Sequence, residues 1–401
     1  MATLIYLEGF EHWTVSANAF NVSDAAIAST VVGTPTNIAG GRTGRGLECN
    51  PATGTEYFGR EIPGTNPVLS VVSFYVKFTS LPTVDSVIFA MLPGTGIGGR
   101  LWFKQSTGKF HLAISATANG TDVGPAGITT GVWYLVDMRF DASANPWTLD
   151  GQIDGGTNVQ VTSAVAANTA SSWRIGADLT STYTAQYDDF VASNTAADYP
   201  LGAHQVLPLH VNGDGTHAGT IVSGDFDKAG GADILTSTTD AWQQLDDWVT
   251  GVDDGATTCI ICLAGAATEY TEHTFEDTAE ATIWGVSAVV ASPVSSTTAH
   301  TATFRIVDSG GATVVDLFAG DVSISIATHY ASKFLTANPS STTVNGYKFR
   351  FGFSTDPAPD PQVTAVMLQI AIPEAGAPPA PGPIIAAHQR RHLRQLASDL
   401  W

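Results

Sequence analysis

Gly131-Val132-Trp133-Tyr134-Leu135-Val136-Asp137-Met138-Arg139-Phe140 decides the fold class. Val132, Tyr134, Val136 and Met138 fall on one face of an extended chain, and Trp133, Leu135, Asp137 and Arg139 on the other. A period of two is the signature of a strand. Working outward, residues 68–79 are rich in β-branched and aromatic side chains, and 85–90, 100–104 and 109–114 repeat the pattern. Gly, Pro, Asn and Asp turns separate these runs, and residues 3–195 sustain no helical periodicity. Short strands at close, regular spacing predict a β-sandwich over residues 1–195.

Residues 196–218 lose the pattern and read as a linker. Residues 240–249 look helical. Strands resume at 257–263, 283–291, 302–307, 349–353 and 363–372. In the fourth of these, Phe349, Phe351 and Phe353 alternate with Arg350 and Gly352, which predicts one buried aromatic face. Residues 219–372 are therefore expected to form a second, jelly-roll-like sandwich. Residues 373–383 are Pro-rich and semi-rigid. Residues 384–401 lack Gly and Pro and can form a helix of about five turns. Ile385, Leu393, Leu396 and Leu400 fall near one face, with Arg390, Arg391 and Arg394 around it and Trp401 closing it. That arrangement predicts a docking helix, for a homo-oligomer or for a partner groove. The fold class expected is all-β: two sandwiches and a short C-terminal helix.

Charged residues make up only 13% of the 401, against about a quarter in an ordinary globular domain, which favours strands and turns over exposed helices. The net charge of −20 arises from few bases (17) set against 37 acids. A field of that sign argues against nucleic acid as a partner. The start, Met1-Ala2-Thr3-Leu4-Ile5-Tyr6-Leu7-Glu8, carries no basic region of a leader, and no apolar run reaches the ~18 residues of a membrane span. The expectation is a chain made in the cytoplasm and not inserted in a membrane. Cys49, Cys259 and Cys262 cannot make a disulfide framework. Cys259 and Cys262 on a strand would point to opposite faces, and no further ligand pair accompanies them, so they read as buried thiols.

Catalytic patterns are missing. The Glu-x-Asp-x-x-Glu strand of sandwich glucanases does not occur, and Glu8 and Glu11, an odd number apart, should face opposite ways. No nucleophile elbow, phosphate loop or zinc-protease motif is present. Asp225-Phe226-Asp227-Lys228-Ala229-Gly230-Gly231-Ala232-Asp233 mimics a calcium loop, but Lys228 and Ala229 spoil the ligand series, so it reads as a turn. His388 and His392 share helical spacing within the docking tail. No cofactor and no metal is expected. Of Trp13, Trp102, Trp133, Trp147 and Trp173, the strand positions Trp102 and Trp133 read as buried. Trp147, in the turn-like Ala144-Asn145-Pro146-Trp147-Thr148, is the candidate for an exposed glycan contact.

Leu7-Glu8-Gly9-Phe10-Glu11, the strand from Gly131 to Asp137, and Ala185-Gln186-Tyr187-Asp188-Asp189-Phe190-Val191 resemble the concanavalin A-like, laminin-G type sandwich. Asp198-Tyr199-Pro200-Leu201-Gly202, Asn212-Gly213-Asp214-Gly215-Thr216, Ala241-Trp242-Gln243-Gln244-Leu245-Asp246-Asp247 and the strand from Trp284 to Val290 extend the likeness to tailed-phage structural proteins. The resemblance implies a non-catalytic virion component of the minor tail, decoration or adhesion type, located in the virion and partnered by other virion proteins. The alternative is a module that recognises host-surface glycans.

Overall fold

The structure is a computed structural model. It describes residues 3–11, 29–52, 54–61, 69–93, 97–164, 170–215, 226–228, 232–233, 245, 260–262, 270–292, 302–317, 329–353, 362–363 and 365–374. Among these the fold is almost entirely β. The chain divides into two compact units, one of residues 1–11, 29–207 and 371–401, the other of 12–28 and 208–370. Residues 196–207, expected in a linker, thus belong to the first unit. The expected helix-like piece at 240–249 (apart from Leu245, which is buried), the docking segment from Ile385 to Trp401, Trp13 and Cys259 lie outside the described residues.

The strands of the first unit are β1 (Leu4–Glu8), β2 (Ser29–Val32), β3 (Thr36–Ile38), β4 (Gly46–Cys49), β5 (Gly54–Glu61), β6 (Leu69–Ser80), β7 (Ser86–Pro93) and β8 (Gly99–Lys104). They continue with β9 (Lys109–Ile114), β10 (Thr121–Val123), β11 (Trp133–Asp141), β12 (Trp147–Ile153), β13 (Val159–Ser163), β14 (Ala170–Ser181) and β15 (Thr184–Ser193). Sheet I runs β13-β12-β11-β6-β15-β4-β3, with β1 also paired to β15, and sheet II runs β10-β9-β8-β7-β14-β5-β2.

Strand alternation fills the space between these sheets with aromatic rings. Val72, Phe74, Val76 and Phe78 of β6 and Tyr134, Val136, Met138 and Phe140 of β11 all point inward and are buried. Phe74 of sheet I stands 4.8 Å from Phe89 of sheet II, and Phe190 packs on Phe74, Phe89 and Trp173. Each such ring stabilises the fold by about 1.5–3 kcal/mol through its burial. Polar tips find partners: the Tyr183 and Tyr187 hydroxyls donate to the Val87 and Ile88 carbonyls, and the Trp173 indole N–H to Ser70 Oγ. Cys49 is a buried free thiol, and burial pushes its pKa up.

The second unit continues with β16 (His204–Asp214), whose first residues count with the first unit, then β17 (Phe226–Lys228), β18 (Ala232–Asp233), β19 (Ile260–Cys262), β20 (Tyr270–Phe275) and β21 (Gly285–Ser292). It ends with β22 (Ala302–Val307), β23 (Thr313–Asp316), β24 (His329–Ala337), α1 (Ser341–Asn345), β25 (Lys348–Phe353), β26 (Gln362–Val363) and β27 (Ala365–Pro373). One sheet runs β23-β22-β25-β20-β16-β27-β21-β24 and a smaller one β18-β17-β19-β26. Phe349 and Phe351 are fully buried, as their alternation predicts, and Phe304 lies 5.0 Å from Phe351. Within the calcium-loop mimic, Asp227 of β17 pairs with Asp233 of β18 and Lys228 with Ala232, antiparallel. The short helix α1 is capped by Ser340, whose Oγ accepts from the Thr343 amide.

Candidate functional site

The outward side chains of sheet I follow from the same alternation that fills its core. If Tyr134, Val76, Tyr187 and Leu47 point inward, their neighbours point out. Strand register places Trp133 opposite Lys77, Lys77 opposite Gln186, Gln186 opposite Glu48 and Glu48 opposite Thr36. Five strands therefore present one straight row across the sheet. At about 4.8 Å between strands, the row is roughly 19 Å long. All five residues are half-buried.

The row has defined chemistry. Lys77 Nζ sits 4.5 Å from the centre of the Trp133 ring and 3.5 Å from the Gly40 carbonyl. Burial lowers the Lys77 pKa, against the opposing pull of Asp188 and Glu48. Gln186 Nε2 donates to Glu48 Oε2 at 3.0 Å. Gln186 Oε1 is buried with no hydrogen-bond partner among the described residues. An aromatic ring, a cation, an amide and a carboxylate thus stand in line, half-buried, on the outer face of the sheet.

The rest of this face is covered by the chain itself. Residues 196–205 form a strap over it. Gly202 N–H donates to Asp137 Oδ1 at 3.0 Å, and the Tyr199 ring lies 5.3 Å from the Arg139 guanidinium. Asp137, Ser73 and Asp150 are consequently buried, although they point outward from the sheet. Arg139 holds Asp150 at 2.7 Å. The Trp133–Thr36 row, by contrast, is half-buried.

Beside the row lies a buried polar cluster. The loop Gly41-Arg42-Thr43-Gly44-Arg45 turns its amides onto acids: Arg42 and Thr43 N–H donate to Asp188 Oδ2, and Arg45 N–H to Glu11. The Arg42 guanidinium reaches Asp189 Oδ2 at 2.6 Å and also pairs with Glu374, while stacking 3.7 Å from the centre of the Tyr75 ring. His204 Nδ1 lies 2.8 Å from the Gly202 carbonyl. Burial pushes the Glu11 carboxyl up to about 8, with Asp189 and Glu8 adding to the rise and the Arg45 amide opposing it. Burial, with Asp189 and Glu11 nearby, also raises Asp188 well above the carboxylate range. Burial takes the Tyr75 hydroxyl up to about 12. The acids are consumed by backbone amides and arginines, so the cluster is built as an internal clasp. Among the described residues no group of three or more His, Cys, Asp or Glu is arranged to hold a metal.

Three expectations are corrected here. Trp147 is fully buried, with its ring edge-on to Phe140 at 5.6 Å. It opens β12 in phase with Leu149 and Ile153, so its apolar area goes into the core and offers nothing to a sugar. Glu8 and Glu11 do not alternate across a strand. The strand ends at Glu8 and Phe10 adopts φ 59°, so strand alternation does not extend to Glu11. Trp102 is buried, as its strand position suggests, and so is Trp173, but Trp133, also expected to be buried, is only half-buried. The signal for Trp133 was in its phase: it alternates with the core positions of β11. Lys77, Gln186 and Glu48 carried no motif, because their alignment arises only from strand register.

No family model and no curated protein matches the chain. Among solved structures it is similar to Trypanosoma rangeli sialidase, at 14% identity and a TM-score of 0.32, over 42% of this chain and 27% of that one. It is similar to the cellulose induced protein Cip1, at 11% identity and a TM-score of 0.33, over 47% and 97%. A third likeness is to domain 4 of AbnA, a GH43 extracellular arabinanase from Geobacillus stearothermophilus in complex with arabinotriose, at 17% identity and a TM-score of 0.31, over 48% and 95%. The chain spans about a quarter of the sialidase it matches. Likenesses at this level imply neither a substrate nor an activity.

Proposed function

We propose that this chain is a carbohydrate-binding protein that holds a glycan along the open row of sheet I. The observation that carries the reading is Trp133, a half-buried indole that continues directly into Lys77, Gln186 and Glu48. A sugar ring offers an apolar C–H face and a fringe of hydroxyls. An exposed aromatic beside fixed polar groups is the complementary surface, with the ring supplying contact area and the polar groups orientation. Lys77 occupies one side of the indole, so a sugar stacks on the remaining ring surface or displaces the ammonium.

The resemblance to tailed-phage proteins supplies a setting for this activity: an adhesion component of a virion meets a glycan-covered host envelope. That setting rests on the sequence likeness alone.

The test is binding to a panel of immobilised polysaccharides, with wild type beside Trp133→Ala. The expected result is saturable binding to at least one polymer, weakened about tenfold or more by the substitution, as for a central aromatic contact. Correctly folded wild type that binds none of the panel, or an unaffected W133A, would overturn the reading.

A further inference from the structure

We propose that His204 is held as a doubly protonated imidazolium that latches the strap of residues 196–205 onto sheet I, so that loss of one ring proton releases it. Both ring nitrogens meet carbonyl oxygens: Nδ1 lies 2.8 Å from that of Gly202, and Nε2 2.5 Å from that of Asp189. A carbonyl oxygen only accepts. A neutral imidazole has one N–H and a lone pair on its other nitrogen, whereas the imidazolium donates from both. Only the charged ring satisfies both carbonyls, and a neutral one sets a lone pair against an oxygen. The two bonds do different things. The first folds the strap's own turn at Gly202, whose amide reaches Asp137. The second pins the strap to β15. Asp189 adopts φ 52° there, within an irregularity between Asp188 and Val191 where the register against β6 shifts.

The surroundings supply the counter-charge. His204 is fully buried, and a buried charge needs a partner of opposite sign. Arg42 pairs with two carboxylates, Asp189 on β15 and Glu374 after β27, and also donates to the His204 carbonyl. One guanidinium balances one of these acids, and the imidazolium balances the other. Asp188 of β15 is raised well above the carboxylate range by burial, with Asp189 and Glu11 adding to the rise, so it keeps its own proton. Tyr75 of β6 lies with its ring 5.8 Å from the imidazole, and Asp137 of β11 accepts from Gly202. Loss of a ring proton therefore breaks one of the two bonds and the charge balance together. The strap then lifts from Ser73, Asp137 and Asp150, which are buried beneath it, and takes Tyr199 off Arg139.

The experiment is NMR of the imidazole nitrogens in the full chain, with the His204 ring assigned from its backbone resonances, run beside hydrogen–deuterium exchange of the strap. At about pH 6 both His204 ring nitrogens should carry protons, whereas burial by itself favours the neutral ring. As the pH is raised to about 10, loss of one of these protons should coincide with a several-fold rise in exchange of residues 196–203, corrected for the intrinsic effect of pH. His204→Gln, whose amide is neutral at every pH, should abolish that step. A bare nitrogen on His204 at about pH 6 would overturn the proposal. So would exchange that stays level when the ring loses its proton, or a ring that keeps both protons to about pH 10. The same rise in His204→Gln would assign the effect to Asp188 or Glu11 instead and overturn the latch. Should that variant not fold, the ring signals and strap exchange of the wild type still decide.

Discussion

Arg42 and Glu374 lie 332 residues apart in the sequence and form a buried ion pair within the first unit. The pair joins the loop between β3 and β4 to the residue that follows β27. The same guanidinium holds Asp189 and stacks on Tyr75, so one side chain fastens a loop, a central strand and a late segment of the chain. Removing one member of a buried pair strands the other's charge in a low-dielectric interior. Arg42→Ala should therefore destabilise the first unit by about 3–5 kcal/mol. Urea unfolding followed by near-UV circular dichroism measures this, and a loss under about 1 kcal/mol, the range of an exposed pair, would contradict the clasp.

Glu11 gives the clasp a pH dependence with a defined sign. Its folded pKa is about 8, against an ordinary 4.5, chiefly because burial disfavours the charged form. Below about pH 4.5 folded and unfolded chains both hold the proton. Between there and about 8 only the folded chain does, so stability associated with the protonated carboxyl falls as pH rises and is lost above 8. Glu11→Gln cannot ionise. Its stability relative to wild type should rise steadily from pH 5 to 8.5, measured as the difference in urea midpoints. A gap that stays level over that window would show that Glu11 is an ordinary carboxylate. Asp188, raised by burial in the same cluster, should leave the variant with a residual slope.

Gly176 tests the packing of β14 against β5. Its φ is +109°, and a Cβ there would meet the Glu56 carbonyl at 2.6 Å and Cys49 Sγ at 2.9 Å. Gly176→Ala combines backbone strain with a clash against main chain, and a loss of about 1–3 kcal/mol is expected from the strain alone. Thermal unfolding would show this as a lower midpoint. An unchanged midpoint would mean that the two strands separate at little cost.

Two tryptophans separate stability from binding. Trp147→Ala removes a fully buried ring and should cost about 3–5 kcal/mol, with glycan affinity retained in the molecules that fold. Trp133→Ala removes a half-buried ring from the surface and should leave the unfolding midpoint within about 1 kcal/mol of wild type while reducing affinity. Calorimetric scans and binding isotherms on the same two variants decide the matter. Reversal of the two patterns would exchange the roles of these residues.

The fold was largely legible because burial on one face writes a period of two into the residues. β11 was read correctly through Tyr134, Val136 and Met138, and β25 through Phe349 and Phe351. The site was only half legible. Trp133 shows its outward phase in the sequence, but its companions come from β6, β15 and β4, and nothing local in the sequence records which strands lie side by side. Trp147 misled because the preceding Asn145-Pro146 suggests a turn, while the strand begins at the tryptophan itself. The strap at 196–205 reads as a linker because Asp198, Pro200 and Gly202 are turn residues. Its anchor, Asp137, lies 65 positions earlier than Gly202.

A glycan lying across the row of sheet I would shield the strands that form it. Hydrogen–deuterium exchange of the full chain, with and without a saturating polysaccharide that it binds in the panel, measures that shielding. The account predicts new protection in peptides covering residues 46–49, 75–79, 131–135 and 184–188, the stretches that carry Glu48, Lys77, Trp133 and Gln186. Protection confined to other stretches, with these four unchanged, would place the ligand elsewhere and contradict the account.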